Sequence, residues 1–167
     1  AADANVEKAV LREAVLLQMT WNGAPTVYYG DEAGVTGWTD PDNRRTYPWG
    51  REDMELIAFH KAAISLRKEY PVLRHGSLKQ LYGAYGVLAY GRFDEKEKIL
   101  VALNNTEEIR TVSIPVWQIG VQAEGTLQNC LMTNRDGFTV FGFSYPVRNG
   151  NVLLSLPPKS AMAVREI

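Results

Sequence analysis

The second half of the chain carries short runs with an apolar residue at every second position, and this pattern limits the fold most strongly. Val152, Leu154 and Leu156 recur in this way, as do Val112 and Ile114. A period of two places these side chains on one face of a β-strand. The pattern predicts six strands, at residues 85–93, 98–104, 110–116, 126–131, 151–156 and 161–167.

Turn-forming residues separate these strands. Asn, Asp and Gly cluster at residues 104–105, 135–137 and 149–151. Such residues favour tight connections between antiparallel neighbours. We therefore predict that residues 72–167 form an all-β antiparallel sandwich.

The first part of the chain has a different periodicity. Apolar residues at helical spacing predict helices over residues 5–21 and 52–70, and Pro71 ends the second one. Between them, residues 26–29 form a β-branched and aromatic run typical of a buried strand, and residues 31–50 form a long polar loop. Residues 1–71 are thus predicted to be a helix-strand-loop-helix unit.

A single buried strand between two helices has no sheet with which to pair. Its backbone N–H and C=O groups would lack hydrogen-bond partners, which is costly in a protein interior. This arrangement indicates the remnant of a larger α/β fold. The chain also begins without methionine and without a signal-peptide pattern, so the natural N-terminus is expected to lie upstream and the residues give no localisation.

The composition is that of a globular protein. Hydrophobic residues make up 46% and charged residues 22% of the 167 residues, with a net charge of −1. This balance gives no pull toward nucleic acid or anionic lipid, and the apolar run at residues 9–19 is too short and too charged to span a membrane. We expect neither nucleic acid nor a membrane as a partner.

No complete catalytic template is present. Asp31 and Glu32 are sequence neighbours at the end of the predicted strand, where successive side chains point to opposite faces, so bracing of the loop is favoured over a catalytic pair. His60, His75 and Cys130 lack ligand spacing and are interpreted as structural. No cofactor and no metal are predicted.

Three motifs resemble the α-amylase family of glycoside hydrolases. They are GAPTVYYGDE at residues 23–32, DPDNR at residues 40–44 and LPPKSA at residues 156–161. The segment DPDNRRTYPWG is most similar to pullulanase, neopullulanase and cyclomaltodextrinase-like members. The resemblance implies that residues 1–71 are the last part of a catalytic (β/α)8 TIM barrel, and that residues 72–167 are the β-sandwich that follows it.

The resemblance also implies the function of the parent protein. Family members hydrolyse α-glucans such as pullulan, maltodextrin or cyclodextrin with retention, using carboxylates on barrel strands that would lie upstream of residue 1. The fragment alone is therefore expected to be inactive, with no catalytic residue of its own. An α-glucan oligosaccharide or polysaccharide is the implied partner.

Asp40, Arg44 and Trp49 are the predicted substrate-binding residues. In related enzymes the aspartate and arginine of the D-P-x-N-R pattern bind glucose units on the non-reducing side of the cleavage point. Carboxylate and guanidinium groups together accept from and donate to vicinal hydroxyls. The alternative is an Asp-Pro turn with an internal ion pair. Trp49, with Trp38 and Tyr47, either stacks on sugar rings or pins the loop.

A second interpretation is a non-catalytic carbohydrate-binding or structural β-sandwich module. Tyr82, Tyr85, Tyr90 and Trp117 would supply its sugar platform, although their alternating context favours core packing. A barrel remnant would also expose apolar surface, so a homo-oligomer is compatible with either interpretation.

Overall fold

The computed structural model describes residues 6–167, in which helices precede an antiparallel sheet. The helices are α1 (Lys8–Thr20), α2 (Met54–Glu69) and α3 (Val72–His75). The strands are β1 (Ser77–Ala84), β2 (Val87–Phe93), β3 (Lys98–Asn104), β4 (Arg110–Ile114), β5 (Thr126–Asn134), β6 (Gly137–Thr139), β7 (Ser144–Arg148), β8 (Asn151–Leu156) and β9 (Ser160–Glu166).

The strands follow the order β1-β2-β3-β9-β5-β7-β8-β4, and β6 pairs with β5. Every pairing along this path is antiparallel. One apolar core joins residues of β1, β2 and β3 to residues of β4 and β8, so the two ends of the sheet pack across each other. The domain is therefore mostly antiparallel β-structure and sandwich-like, as predicted.

The central strands are covered on both faces. Leu100 and Ala102 of β3 face the core inside the sandwich, whereas Ile99 and Val101 face a second core with the helices. That second core contains Leu16 of α1, as well as α2 and α3 residues. Burial on two faces explains why β3 is almost continuously apolar, unlike the alternating β8.

The two long helices lie within their predicted ranges. Asp53 caps α2 by accepting a hydrogen bond from the backbone N–H of Leu56 at 3.1 Å, and Pro71 follows its last turn. Across residues 6–167, no helix is both long and apolar enough to cross a bilayer.

Two buried arginines connect the helices to the sheet. Arg92 of β2 donates to the carbonyl oxygens of Thr20 at 2.7 Å, Leu73 at 2.9 Å and Gly76 at 2.9 Å. Arg12 of α1 donates to the Thr133 hydroxyl at 2.7 Å, and it also pairs with Glu55 and the Asn134 carbonyl. These contacts satisfy the guanidinium groups inside the protein and align α1, α3 and the sheet.

The six predicted strands are all present, with ends shifted by a few residues, but β1, β6 and β7 were not predicted. The prediction of a buried strand at residues 26–29 is wrong. This segment is not in a β-ladder, and Val27, Tyr28 and Tyr29 are exposed. A strand needs a hydrogen-bonded neighbour, and none pairs with this segment within residues 6–167.

Candidate functional site

The loop at residues 31–50 starts with a 3-10 turn, Asp31–Ala33, anchored to α2. The backbone N–H of Asp53 donates to the Ala33 carbonyl at 3.0 Å, and the Ala33 side chain is buried. Gly30 precedes the turn at a φ of 88°, and a Cβ there would lie 2.7 Å from Val35, so the sharp entry requires glycine. The start of the loop is therefore held rigidly.

Glu32 braces this first turn. Its Oε2 accepts a hydrogen bond from the backbone N–H of Gly30 at 2.9 Å. The carboxylate is thus engaged in its own turn, in the bracing role that the sequence analysis favoured. Asp31 also lies within the turn, adjacent to Glu32 in the chain.

A second 3-10 turn, Asp42–Arg44, shapes the outer part of the loop. Asp42 accepts two hydrogen bonds from the Arg45 guanidinium, at 2.7 and 2.9 Å, and one from the backbone N–H of Trp38 at 3.0 Å. The bond from Arg45 is the main cause that lowers the pKa of Asp42. Gly37 lets the chain close, because a Cβ there would lie 2.7 Å from the Asp42 carbonyl oxygen.

Asp40 and Arg44 come together on the solvent side of this turn. Arg44 Nε lies 2.8 Å from Asp40 Oδ1, and the two side chains are 68% and 57% exposed, in that order. The ion pair proposed as the alternative is therefore present. Because both groups face solvent, they also retain donors and acceptors for a ligand.

The same loop carries exposed aromatic rings. Trp49 is 81% exposed, and its ring lies 4.6 Å from that of Tyr47 between centroids. Trp38 is also exposed. The hydroxyl of Tyr29 donates to the Arg45 carbonyl at 2.9 Å, so Tyr29 ties the loop to the segment before it. Sequence reasoning did not assign Tyr29 to this site.

The other residues singled out in the sequence lie elsewhere. His60 is buried, and its Nδ1 is 2.8 Å from the Leu56 carbonyl oxygen, whereas His75 is exposed on α3. Cys130 packs beside the helix-sheet core, where burial raises the pKa of its thiol. No group of three potential metal ligands occurs within residues 6–167.

The aromatic platform suggested for the β-domain does not form as a unit. Tyr90 is buried, and its hydroxyl lies 2.6 Å from that of Thr20. Tyr82 packs against the inner core, while Tyr85 and Trp117 remain exposed. Tyr90 is therefore a core residue and is removed from the set of candidate sugar contacts.

Comparison with known sequences identifies the family of the β-domain. Residues 76–153 match the family described as alpha-amylase C-terminal domain. An amylopullulanase of Thermoanaerobacter thermohydrosulfuricus is 52% identical over 82 residues, covering 49% of this chain and 6% of the relative. Neopullulanase 2 of Thermoactinomyces vulgaris is 34% identical over 159 residues, covering 93% of this chain and 25% of the relative.

Comparison with solved structures agrees. The α-amylase of Geobacillus thermoleovorans, solved in complex with acarbose, superimposes with a TM-score of 0.83 at 27% identity. The match covers 98% of this chain and 34% of the α-amylase. The chain thus spans a minor part of the length of each of these relatives. Residues 76–153 are thus an α-amylase C-terminal domain, and the relatives and structural neighbours of the chain as a whole are enzymes of the α-amylase family.

Proposed function

We propose that this chain is the C-terminal part of a longer enzyme that hydrolyses α-glucans of the pullulan, maltodextrin or cyclodextrin type. Residues 1–71 would be the last part of its (β/α)8 barrel, and residues 72–167 its C-terminal β-domain. The superposition supports this division because it covers 98% of the chain, and so includes the helices before the β-domain. The exposed segment at residues 26–29, which pairs with no strand within residues 6–167, would then contact the preceding polypeptide.

The observation that carries the proposal is the exposed constellation on the loop at residues 31–50. Asp40 and Arg44 present a carboxylate and a guanidinium side by side, and Trp49 offers a flat apolar ring. Vicinal hydroxyls of glucose donate to the first group and accept from the second, while the sugar face packs on an aromatic ring. In a TIM barrel, the loops that follow the strands border the active site. Asp40, Arg44 and Trp49 would therefore contact the bound substrate.

The retaining chemistry would belong to carboxylates outside this chain. Retention needs two carboxyl groups about 5 Å apart across the scissile bond. Two carboxylates of the loop are instead committed to local contacts, Glu32 with Gly30 and Asp42 with Arg45. We therefore expect the isolated chain to release no reducing ends from pullulan or maltooligosaccharides. Hydrolysis by the isolated chain would contradict this assignment. Asp31, Glu32, Asp40 and Asp42 would then be candidates for the catalytic carboxylates.

Variants of the longer enzyme test the binding role. Asp40→Ala and Arg44→Ala should each lower kcat/KM on a long maltooligosaccharide about tenfold or more, since a hydrogen bond to a charged group contributes roughly 1.5–3 kcal/mol. Arg148→Ala is the matched control, because Arg148 is also exposed and ion-paired but lies on β7. Unchanged kinetics for both loop variants would remove Asp40 and Arg44 from the substrate site.

Exposure of the barrel-like segment also supports self-association of the isolated chain. Val27, Tyr28 and Tyr29 form a contiguous apolar stretch at the surface. Such a patch favours contact with another copy when its own partner is absent. The homo-oligomer is therefore retained as part of the proposal, for the isolated chain only.

A further inference from the structure

A polar pocket of about 320 Å³ lies between the C-terminal half of α2 and strands β5 and β9. No residue of the loop at residues 31–50 lines it. Its polar lining consists of Ser65, Glu69, Tyr70, Gln128, Asn129 and Arg165. All of these residues are in the described part of the chain, so the pocket can be tested in this chain.

Several groups in this pocket retain unused hydrogen-bonding capacity. Asn129 is only 4% exposed, and its Oδ1 has no hydrogen-bond partner although its Nδ2 donates to the Phe141 carbonyl at 2.9 Å. The Arg165 guanidinium lies 5.8 Å from the centre of the Tyr70 ring, and no carboxylate within residues 6–167 forms a salt bridge with it. Buried polar groups are normally paired, so these groups indicate a ligand or ordered water.

Two exposed aromatic side chains belong to residues 140–143, a segment whose Val140 and Gly142 line the pocket. Phe141 and Phe143 are 79% and 58% exposed, and Gly142 between them lines the pocket. Asn129 fixes this segment, because its backbone N–H donates to the Phe143 carbonyl at 2.8 Å and its side chain to that of Phe141. Two exposed apolar rings on one short segment are better accommodated when a ligand or partner covers them.

We propose that this pocket is a second α-glucan-binding site, remote from the substrate loop. This inference rests on the proposed function for its choice of glucan as ligand. Glu69 and Arg165 carry opposite charges, which favours a neutral ligand over a free anion or cation. Carboxylate, guanidinium and amide groups together match the alternating donors and acceptors of a polyol, and the phenylalanine rings match the apolar face of a sugar.

The size of the pocket agrees with a short stretch of glucan. A volume of about 320 Å³ is at the lower end of the range of ligand pockets. An open, shallow site of this kind holds a few sugar units of a longer chain. Its expected role is to retain a polysaccharide on the enzyme, which raises the local concentration of substrate at the first site.

The test is a titration of the 167-residue chain with maltoheptaose, followed by amide chemical shifts and calorimetry. The amide signals of residues 128–129 and 141–143 should shift on binding. The double variant Glu69→Gln/Phe141→Ala should weaken maltoheptaose binding at the pocket about tenfold, a loss equivalent to one stacked ring or one good hydrogen bond. Leu153→Ala is the matched control, since Leu153 is an exposed apolar residue on β8 that does not line the pocket. The affinity of this control variant for maltoheptaose should equal that of the unmodified chain.

Two other outcomes would overturn the site. If Asp40→Ala/Trp49→Ala abolishes all binding and Glu69→Gln/Phe141→Ala changes nothing, the pocket is not a glucan site while the proposed function stands. If the unmodified chain binds no maltoheptaose, the pocket proposal also fails, because every residue assigned to the pocket is present in this chain. The proposed function is then judged separately by the kinetics of the Asp40 and Arg44 variants in the longer enzyme.

Discussion

The central strands and the loop at residues 31–50 use aromatic and charged residues in opposite ways. In the sheet, Tyr90 and Arg92 are almost completely buried, and neighbouring groups satisfy their polar atoms. In the loop, Trp49 and the Asp40–Arg44 pair face solvent. The same residue types therefore stabilise the fold in one region and remain free for ligands in the other.

This difference follows from what surrounds each region. Sheet residues contact an apolar core on each face, so removing a side chain leaves a cavity that neighbours fill only in part. Loop residues are held mainly by hydrogen bonds within short turns, such as those of Asp42 with Arg45 and Trp38. Substitution at the exposed tips of the loop should leave these turns intact.

The largest expected contrast is between Phe59→Ala and Trp49→Ala. Phe59 is fully buried, and its ring packs edge to face against Phe138 with centroids 5.3 Å apart. Loss of this ring should lower the free energy of unfolding by about 3–5 kcal/mol. The exposed Trp49 should change it by about 0.5 kcal/mol or less. Urea denaturation followed by far-ultraviolet circular dichroism measures both values.

An equal loss in the two variants would contradict the contrast. It would mean that Trp49 packs against the rest of the chain in solution, and that it pins the loop rather than offering its ring to a sugar.

Glu13 is expected to have a smaller effect on the free energy of unfolding, and this effect depends on pH. This residue of α1 is buried beside the β1–β2 hairpin, and its Oε1 has no hydrogen-bond partner. Burial raises the pKa of Glu13 to about 8 from an ordinary value of 4.5. Between these two values the folded chain binds the proton and the unfolded chain does not. The contribution of Glu13 to stability is therefore greatest at low pH and declines as the pH rises from 4.5 to about 8.

Replacement by glutamine isolates this contribution. Glu13→Gln should be more stable than the unmodified chain at pH 8, by at most about 4 kcal/mol, and the difference should vanish near pH 4. Urea denaturation of both proteins across this range measures it. A constant difference at every pH would show that Glu13 titrates normally in the folded state, and that the variant acts through packing alone.

The sequence predicted the β-domain well because its signal is local. Alternation and turn residues located six of the nine strands, and two of them, Lys98–Asn104 and Asn151–Leu156, have the predicted ends. Strand β1 escaped prediction because most of its residues are exposed or half-buried, so it lacks an alternating pattern. Strand β7 contains Pro146, which weakens a strand prediction, and β6 has only three residues.

Features that depend on distant partners were not predictable. The run at residues 26–29 has strand composition, yet no neighbour within residues 6–167 pairs with it. Nothing local indicates that Arg92 would be buried, because its acceptors lie up to 72 residues away. The loop at residues 31–50 was predicted from its composition and length, but its substrate-binding residues were identified only through family resemblance. The pocket at Asn129 had no sequence signal, since its residues come from α2, β5 and β9.

The smallest expected effect on stability is that of Arg44→Ala, and it decides between the two roles considered for the Asp40–Arg44 pair. Exposed ion pairs contribute about 0–1 kcal/mol, because water and salt screen them and the side chains lose conformational freedom. The unfolding free energy of the variant should therefore lie within about 0.5 kcal/mol of the unmodified chain. The adjacent Asp42–Arg45 pair should be intact, since it shares no atom with Arg44. A loss of about 2 kcal/mol or more would instead identify Arg44 as an internal brace. A small loss combined with weaker glucan binding would assign it to the ligand, because the turn would then hold its shape without it.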